Sequence, residues 1–193
     1  QLVEKFNNDD EINGIIIQLP IKNELKNIVN YIDPSKDVDG LGRIQQSNLL
    51  NEEKNGIKLY PCTALAVIKI LEYYGLNVEN KRCLILGRSN LVGKPLFLLL
   101  LKQNAAITVV HSKITNLEEY VKNADFIFLA VGKKNIFDYS VLKKEQVIVD
   151  IGINIDNGNL SGDLDKNMYE KLDTYTPVPG GVGPMTVAML MHN

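Results

Sequence analysis

The apolar positions of the chain change rhythm along its length. Gly14-Ile15-Ile16-Ile17-Gln18-Leu19-Pro20 is a β-branched run closed by proline. A run without alternation predicts a strand covered on both faces, as in a parallel sheet. Over residues 24–32, Leu25, Ile28, Val29 and Ile32 fall at helical spacing, and Asp33-Pro34 ends the helix. Residues 33–61 are rich in Asp, Gly, Ser, Asn and Lys, with little periodicity. They predict a long loop with at most one short turn, and such loops usually serve a function.

From Thr63 the rhythm becomes regular. Thr63 is placed to cap a helix that runs to Tyr74 and stops at Gly75. A strand follows at residues 82–86, a glycine-bounded turn at 87–93, and an apolar helix at 95–102 with Pro95 in its first turn. Further strands are predicted at 107–110, 125–131 and 147–151, with a helix at 116–123 between the first two. Strand and helix alternating at this spacing predict a doubly wound parallel α/β sheet of the Rossmann type.

Composition narrows the function classes. With 193 residues, 45% hydrophobic and 23% charged, the chain can fill a sizeable core. A net charge of -2 without a basic cluster argues against nucleic acid or an anionic membrane as partner. The longest apolar run, Leu96-Phe97-Leu98-Leu99-Leu100-Leu101, suits a buried helix and is too short for a membrane span. Cys62 and Cys83 are too few for a disulfide framework and are expected to be buried, reduced thiols of an intracellular protein. The chain opens on Gln1 with no signal-peptide pattern and is expected to be cut from a longer one.

The strand, glycine turn and helix at residues 82–102 can make an anion site, because free backbone N–H groups and the positive helix end face the turn. Gly87 would let the chain leave the strand sharply, and Gly93 would allow close approach at the helix start. The spacing Gly87-x-Ser89-x-x-x-Gly93 departs from G-x-G-x-x-G, so a plain strand–helix turn also satisfies it. An NAD site would place an acid near the end of the second strand to hold the ribose diol. Here His111-Ser112-Lys113 follows instead. With Arg88, this points to the 2′-phosphate of NADP in preference to NAD, although Ser112 and Lys113 also fit a solvated loop. His111 and His192 have no partners at ligand spacing, so no metal is expected.

Four stretches remain: Gln18-Leu19-Pro20, Lys36-Asp37-Val38-Asp39-Gly40, Tyr60-Pro61-Cys62-Thr63 and Thr176-Pro177-Val178-Pro179-Gly180-Gly181-Val182-Gly183-Pro184-Met185-Thr186. So many prolines and glycines in the last fix φ angles and expose backbone groups, as a ligand-lining loop must. Together with Gly87-Arg88-Ser89-Asn90-Leu91-Val92-Gly93-Lys94-Pro95 and Asp150-Ile151-Gly152-Ile153-Asn154, they resemble the bifunctional methylenetetrahydrofolate dehydrogenase/methenyltetrahydrofolate cyclohydrolase family, in order and over essentially the whole chain.

The resemblance implies a Rossmann-type NADP domain at residues 74–175, an incomplete α/β folate-binding catalytic domain at 1–73, and a cleft loop and helix at 176–193 returning to that domain. It implies oxidation of 5,10-methylenetetrahydrofolate by NADP, hydrolysis of the methenyl product to 10-formyltetrahydrofolate, and a homodimer, cytoplasmic or organellar. Asp39 would hydrogen-bond the pterin amide edge, and Gln18 would position the catalytic lysine. Pro179 and Gly180 would line the folate side. Gly87, Arg88 and Ser89 would grip the cofactor phosphates, with Gly93, His111 and Ser112 beside them. Ile153, Gly183 and Thr186 would lie near the nicotinamide. Read locally, Gln18 could instead bond nearby backbone, and Asp39 could form an Asx turn before Gly40.

The chain departs from the family in one large respect. The family's lysine lies in a Ser-x-x-Tyr-x-x-x-Lys segment, and these 193 residues contain none. Tyr120-Val121-Lys122 lies on a predicted helix and fits a solvated face. The 193 residues alone are therefore expected to turn over little substrate. Smaller departures are Leu41-Gly42-Arg43 after Gly40 and Ala64 where the family commonly has proline. A nucleotide-binding or assembly protein that kept the fold without catalysis, and a monofunctional NAD-linked dehydrogenase, are the competing expectations.

Overall fold

The computed structural model describes residues 1–51, 58–156 and 158–193. Helices α1 (Leu2–Asn7), α2 (Arg43–Asn51) and α3 (Cys62–Tyr73) come first. Then follow β1 (Arg82–Leu86), α4 (Gly93–Lys102), β2 (Ala106–Val110), α5 (Leu117–Asn123), β3 (Phe126–Leu129) and β4 (Val147–Asp150). A hairpin of β5 (Asn154–Asp156) and β6 (Asn159–Ser161), strand β7 (Thr174–Tyr175) and helix α6 (Val182–His192) complete the chain. The sheet order β2-β1-β3-β4-β7 is parallel throughout. This is the doubly wound α/β arrangement expected from the sequence.

The short strands are fixed by burial on both faces. Side chains alternate across a strand. Cys83, Ile85, Phe126, Phe128 and Val149 enter one apolar cluster with α3, α4 and Val182 of α6. Leu84, Leu86, Ile127, Leu129 and Ile148 enter a second cluster with Val121 of α5, Tyr139, Met168 and Leu172. Each such side chain, fully buried, contributes about 1.5–3 kcal/mol. Polar residues therefore cannot occupy the central strands without a partner, which is why they appear as unbroken apolar runs.

The helix ends follow local chemistry. At the end of α3, Gly75 takes φ +64, its N–H donates to Glu72 O at 3.2 Å, and Leu76 N–H donates to Leu71 O at 2.9 Å. That is a Schellman cap. Thr63, expected to cap the other end, lies inside the helix, and Pro61 precedes it with no side-chain cap. The last turn of α6 reaches back across the chain, where Asn193 Nδ2 donates to Val38 O at 2.9 Å and Tyr60 O at 2.8 Å.

The N-terminal third differs more from expectation. Residues 14–20 belong to no strand, and residues 19–20 form a bend. Ile15 N–H donates to Lys36 O, and no continuous ladder flanks the run among the described residues. Ile16 is 46% exposed, so the run is not covered on both faces. The helix expected at 24–32 is a 3-10 helix at Asn23–Tyr31. The stretch expected to be a loop contains α2, while its residues 52–57 lie outside the described residues. The inward positions of α2 are Gln45 and Leu49. A polar residue at one of the two hid the helical rhythm. The hairpin β5–β6, β7 and the 3-10 turns at Tyr139–Val141 and Lys166–Lys171 were also too short to show a period. Among the described residues, no helix is long and apolar enough to cross a membrane.

Candidate functional site

Parallel strands deliver their following loops to one edge. Leu86 pairs with Val110 and Leu129, and Leu129 with Asp150, so the loops after β2, β1, β3 and β4 emerge side by side. From β1 the chain passes to β2 on one side and later to β3 on the other, which opens a crevice at the carboxyl ends of β1 and β3.

The turn from β1 to α4 lies over that crevice. Gly87 has φ +123, and a Cβ there would run into the Ala130 carbonyl. At Gly93 a Cβ would strike the Gly87 carbonyl, so both positions require glycine for close approach. Ser89 Oγ accepts from Val92 N–H at 3.1 Å and Gly93 N–H at 3.4 Å, and Ser89 O accepts from Lys94 N–H. These bonds occupy the first donors of α4, and Pro95 has none. The free donors lie earlier than the sequence suggested. Among the described residues, nothing in the chain accepts from the N–H groups of Arg88, Ser89, Asn90 or Leu91. Arg88 and Ser89 are exposed. Four consecutive free donors and a guanidinium suit a diphosphate.

After β2, His111 Nδ1 accepts from Lys113 N–H at 3.2 Å, which orders the turn and leaves Ser112 and Lys113 exposed beside the glycine loop. Beyond β3, the Gly132 Cβ position lies 3.9 Å from Ile153 O, so this loop meets the one after β4. Ile153 is 63% exposed at the same edge. The sequence places Ala130 and Val131 in a strand at 125–131, whereas β3 ends at Leu129 and these two residues open the loop; Gly132 directly after the apolar run was a usable signal.

A buried polar node lies beneath these loops. Asp150 and Asp163 are both 0% exposed. Burial pushes the Asp150 carboxyl up to about 6, with N–H donors from Leu164 and Asp163 opposing it and the Asp163 charge adding to it. Thr176 Oγ accepts from Asp150 N–H at 2.8 Å, which anchors the start of the 176–186 loop to the end of β4. In that loop Val178 N–H donates to Tyr169 Oη at 3.2 Å, while Pro179 and Gly180 are exposed, Gly180 with φ +102. Gly183 lies in the first turn of α6, and Thr186 Oγ donates back to Val182 O at 3.1 Å.

On the N-terminal side, Gln18 is exposed and its Nε2 donates to Leu19 O at 3.2 Å, the local bond that the sequence left open. Among the described residues, Asp39 forms no Asx turn before Gly40; Asp37 ties this turn instead, through N–H groups four and five residues on. The Asp37 carboxylate accepts from Gly42 N–H at 2.7 Å and Leu41 N–H at 3.3 Å. Gly40, at φ +63, packs against the backbone of Leu59 to Pro61. Asp39 is thereby released from turn duty and held half-buried beside Cys62. Burial raises its carboxyl, Cys62 opposes that shift, and the Asp37 charge adds to it. Cys62 and Cys83 are buried and unpaired, each thiol pushed up to about 12 mainly by burial.

Cavities of about 370 and 480 Å³ lie elsewhere, one at Arg82, Ile107 and Tyr120, the other at Lys134, Ser161 and Lys166. Neither is lined by a residue that the sequence singled out for a site. An open edge of loops, unlike a closed pocket, is the expected shape where a long extended ligand lies across strand ends.

Comparison with known proteins agrees with this geometry. Residues 61–193 match the NAD(P)-binding domain of tetrahydrofolate dehydrogenase/cyclohydrolase, and residues 1–39 match its catalytic domain. The bifunctional protein FolD of Oceanobacillus iheyensis is 41% identical over 197 residues, covering 100% of this chain and 68% of that protein. The crystal structure of the bifunctional FolD methylenetetrahydrofolate dehydrogenase/cyclohydrolase from Campylobacter jejuni superposes with a TM-score of 0.91 at 39% identity, covering 99% of this chain and 68% of that one. The Trypanosoma brucei methylenetetrahydrofolate dehydrogenase-cyclohydrolase, solved with NADP cofactor and inhibitor, gives a TM-score of 0.90 at 31% identity, covering 99% and 68%.

Proposed function

Because this chain belongs to the tetrahydrofolate dehydrogenase/cyclohydrolase family, we propose that it carries the NADP side and part of the folate side of an enzyme of one-carbon metabolism. The enzyme oxidises 5,10-methylenetetrahydrofolate to the 5,10-methenyl form and hydrolyses that to 10-formyltetrahydrofolate. The observation that carries the reading is the β1–α4 turn, where the N–H groups of Arg88 to Leu91 are free and two glycines leave room for a ligand against the backbone.

The residues fit the cofactor. Gly87, Arg88 and Ser89 would hold its phosphates and Gly93 would leave space for them, while His111, Ser112 and Lys113 supply donors and a cation where NAD would need an acid. Ile153, Gly183 and Thr186 would border the nicotinamide. Bound NADP supplies the hydride acceptor. The chain's part is orientation and exclusion of competing contacts. Pro179 and Gly180 would line the folate side, and Asp39 would face the pterin amide. A half-buried carboxylate discriminates strongly there, because a ligand without the matching donors leaves it desolvated and unpaired. Gln18 would position the lysine that the family resemblance requires, outside these 193 residues.

In this reading residues 1–73 belong to the folate-binding domain, 74–175 to the NADP domain, and 176–193 connect back to the first. The bonds from Asn193 to Val38 and Tyr60 support that return. A cytoplasmic homodimer completes the proposal, supported by the family and by two unpaired buried thiols. The test is methenyl formation by the full-length protein from methylenetetrahydrofolate with NADP, followed spectroscopically, with NAD in a parallel arm. Sustained turnover faster with NADP is expected. NADP binding without methenyl formation would overturn the catalytic reading, and faster turnover with NAD would overturn the cofactor assignment.

A further inference from the structure

Asp150 and Asp163 form a contact that the chemistry above does not use. Two fully buried carboxylates side by side carry a desolvation cost of several kcal/mol each unless fully hydrogen-bonded. None of the ion pairs found among the described residues reaches them. Backbone and amide donors satisfy them instead. Asp163 Oδ2 accepts from Val131 N–H at 2.9 Å and Gly132 N–H at 3.0 Å, both in the loop after β3. Asp163 Oδ1 accepts from Asn154 Nδ2 at 2.9 Å, just beyond Ile153 in the loop after β4.

Asp163 is itself held from below. Its N–H donates to Asp150 Oδ1 at 3.0 Å, which also accepts from Gly152 N–H at 3.1 Å, while Asp150 Oδ2 accepts from Leu164 N–H at 2.9 Å. Tyr139 Oη donates to the Asp163 carbonyl. Side chains on Gly152 or Gly162 would run into the Asp163 and Asp150 carboxyls, so both glycines are what lets the pair sit so close to the backbone.

We propose that Asp163, seated on Asp150, is a positioning residue of the NADP site that clamps the loop after β3 to the loop after β4. It touches no substrate. It acts through the Val131–Gly132 backbone and through Asn154, and so fixes where Ile153 stands. A core role alone would be met more cheaply by apolar side chains. Charge-assisted bonds to backbone N–H groups are stronger and more directional than neutral ones, which suits the holding of two loops at one spacing. The inference rests on the proposed NADP site, and its test separates the two.

In the full-length protein, Asp163→Asn keeps the shape but has one acceptor oxygen. Its amide N–H groups must face either Val131 and Gly132 or Asn154 Nδ2. The loss of a charge-assisted bond predicts NADP binding weaker by about tenfold or more, the Michaelis constant for folate unmoved, and faster hydrogen exchange at Val131 and Gly132 with β1 and β3 still protected. A purely structural role would lower thermal stability without separating the NADP and folate constants. Asn154→Ala, which leaves both carboxylates in place, serves if the first variant fails to fold, and about threefold weaker NADP binding is expected. Wild-type NADP affinity in a folded variant would overturn the inference alone. Absence of NADP binding by the wild-type protein would overturn the functional reading and this inference with it.

Discussion

Residues 1–42 and residues 61–175 are ordered by different forces. The second stretch is held by two apolar clusters on opposite faces of a parallel sheet, with Ile85, Leu96, Leu100, Phe128, Leu129 and Ile148 each 0% exposed. Among the described residues of the first stretch, only Ile15 and Ile32 are buried apolar residues, and neither joins a cluster. Polar tethers order it: Asp37 on Gly42, Asn7 on the Tyr31 carbonyl, and Lys36 on three carbonyls. Apolar burial is non-directional and cooperative, so damage to it spreads. A tether is local, and losing it should release one segment while the sheet stands.

The largest effect should come from the sheet. Phe128→Ala removes a fully buried ring from the first cluster and should cost about 3–5 kcal/mol. Urea denaturation should show one transition shifted as a whole. A loss below about 1 kcal/mol would mean that the cluster is not the stabilising element.

The buried pair tests whether polar groups inside the apolar half behave differently. Asp150 is raised from 3.8 to about 6, so the folded state binds a proton more tightly than the unfolded one between those values. The stabilising contribution is therefore present below pH ~4 and lost as pH rises through about 6, by up to about 3 kcal/mol at 1.36 kcal/mol per pH unit. Relative to Asp150→Asn, wild-type stability from urea midpoints should fall across this window. Parallel curves for the two proteins would show that Asp150 does not titrate there.

Gly87→Ala should leave both regions folded and strike the carboxyl edge of the sheet. The new Cβ meets the Ala130 carbonyl at φ +123, so the turn must shift and its free donors with it. Strain of about 1–3 kcal/mol corresponds to about tenfold or more in NADP affinity. Titration with NADP checks this, and unchanged affinity would remove the turn from the cofactor site.

The same contrast decides what the sequence could disclose. The sheet was legible because burial on both faces leaves unbroken apolar runs, and strands β1, β2 and β4 fall within about a residue of expectation. The glycine turn was legible because Gly87 and Gly93 have no substitute at their positions. The tethered segment was not. A buried Gln45 looks like a surface residue, and a bond such as Asp37 to Gly42 leaves no period. Asp163 was missed for the same reason, since its burial depends on donors from Val131 and Gly132, some thirty residues away, and from Asn154 across the β5–β6 hairpin. Asp39 was found through its neighbours in the family pattern, while its freedom from the Asx turn became visible only in the fold.

The smallest effect on global stability, and the sharpest test of the contrast, is expected at Lys36. Helix α1 has six residues and no buried side chain, so it is marginal by itself. Lys36 Nζ donates to Phe6 O at 3.0 Å, Asn7 O at 2.8 Å and Asp9 O at 2.8 Å, supplying the last carbonyls of the helix with partners and complementing the negative end of its dipole. Lys36→Met keeps the length of the stem and removes all three donors. Hydrogen exchange should rise at residues 5–12 and around Val38 and Asp39, equivalent to about 1–2 kcal/mol of local stability, while the urea midpoint of the sheet moves by less than about 0.5 kcal/mol. A midpoint shift as large as that of Phe128→Ala would show that the two regions unfold as one, and the division drawn between them would not stand.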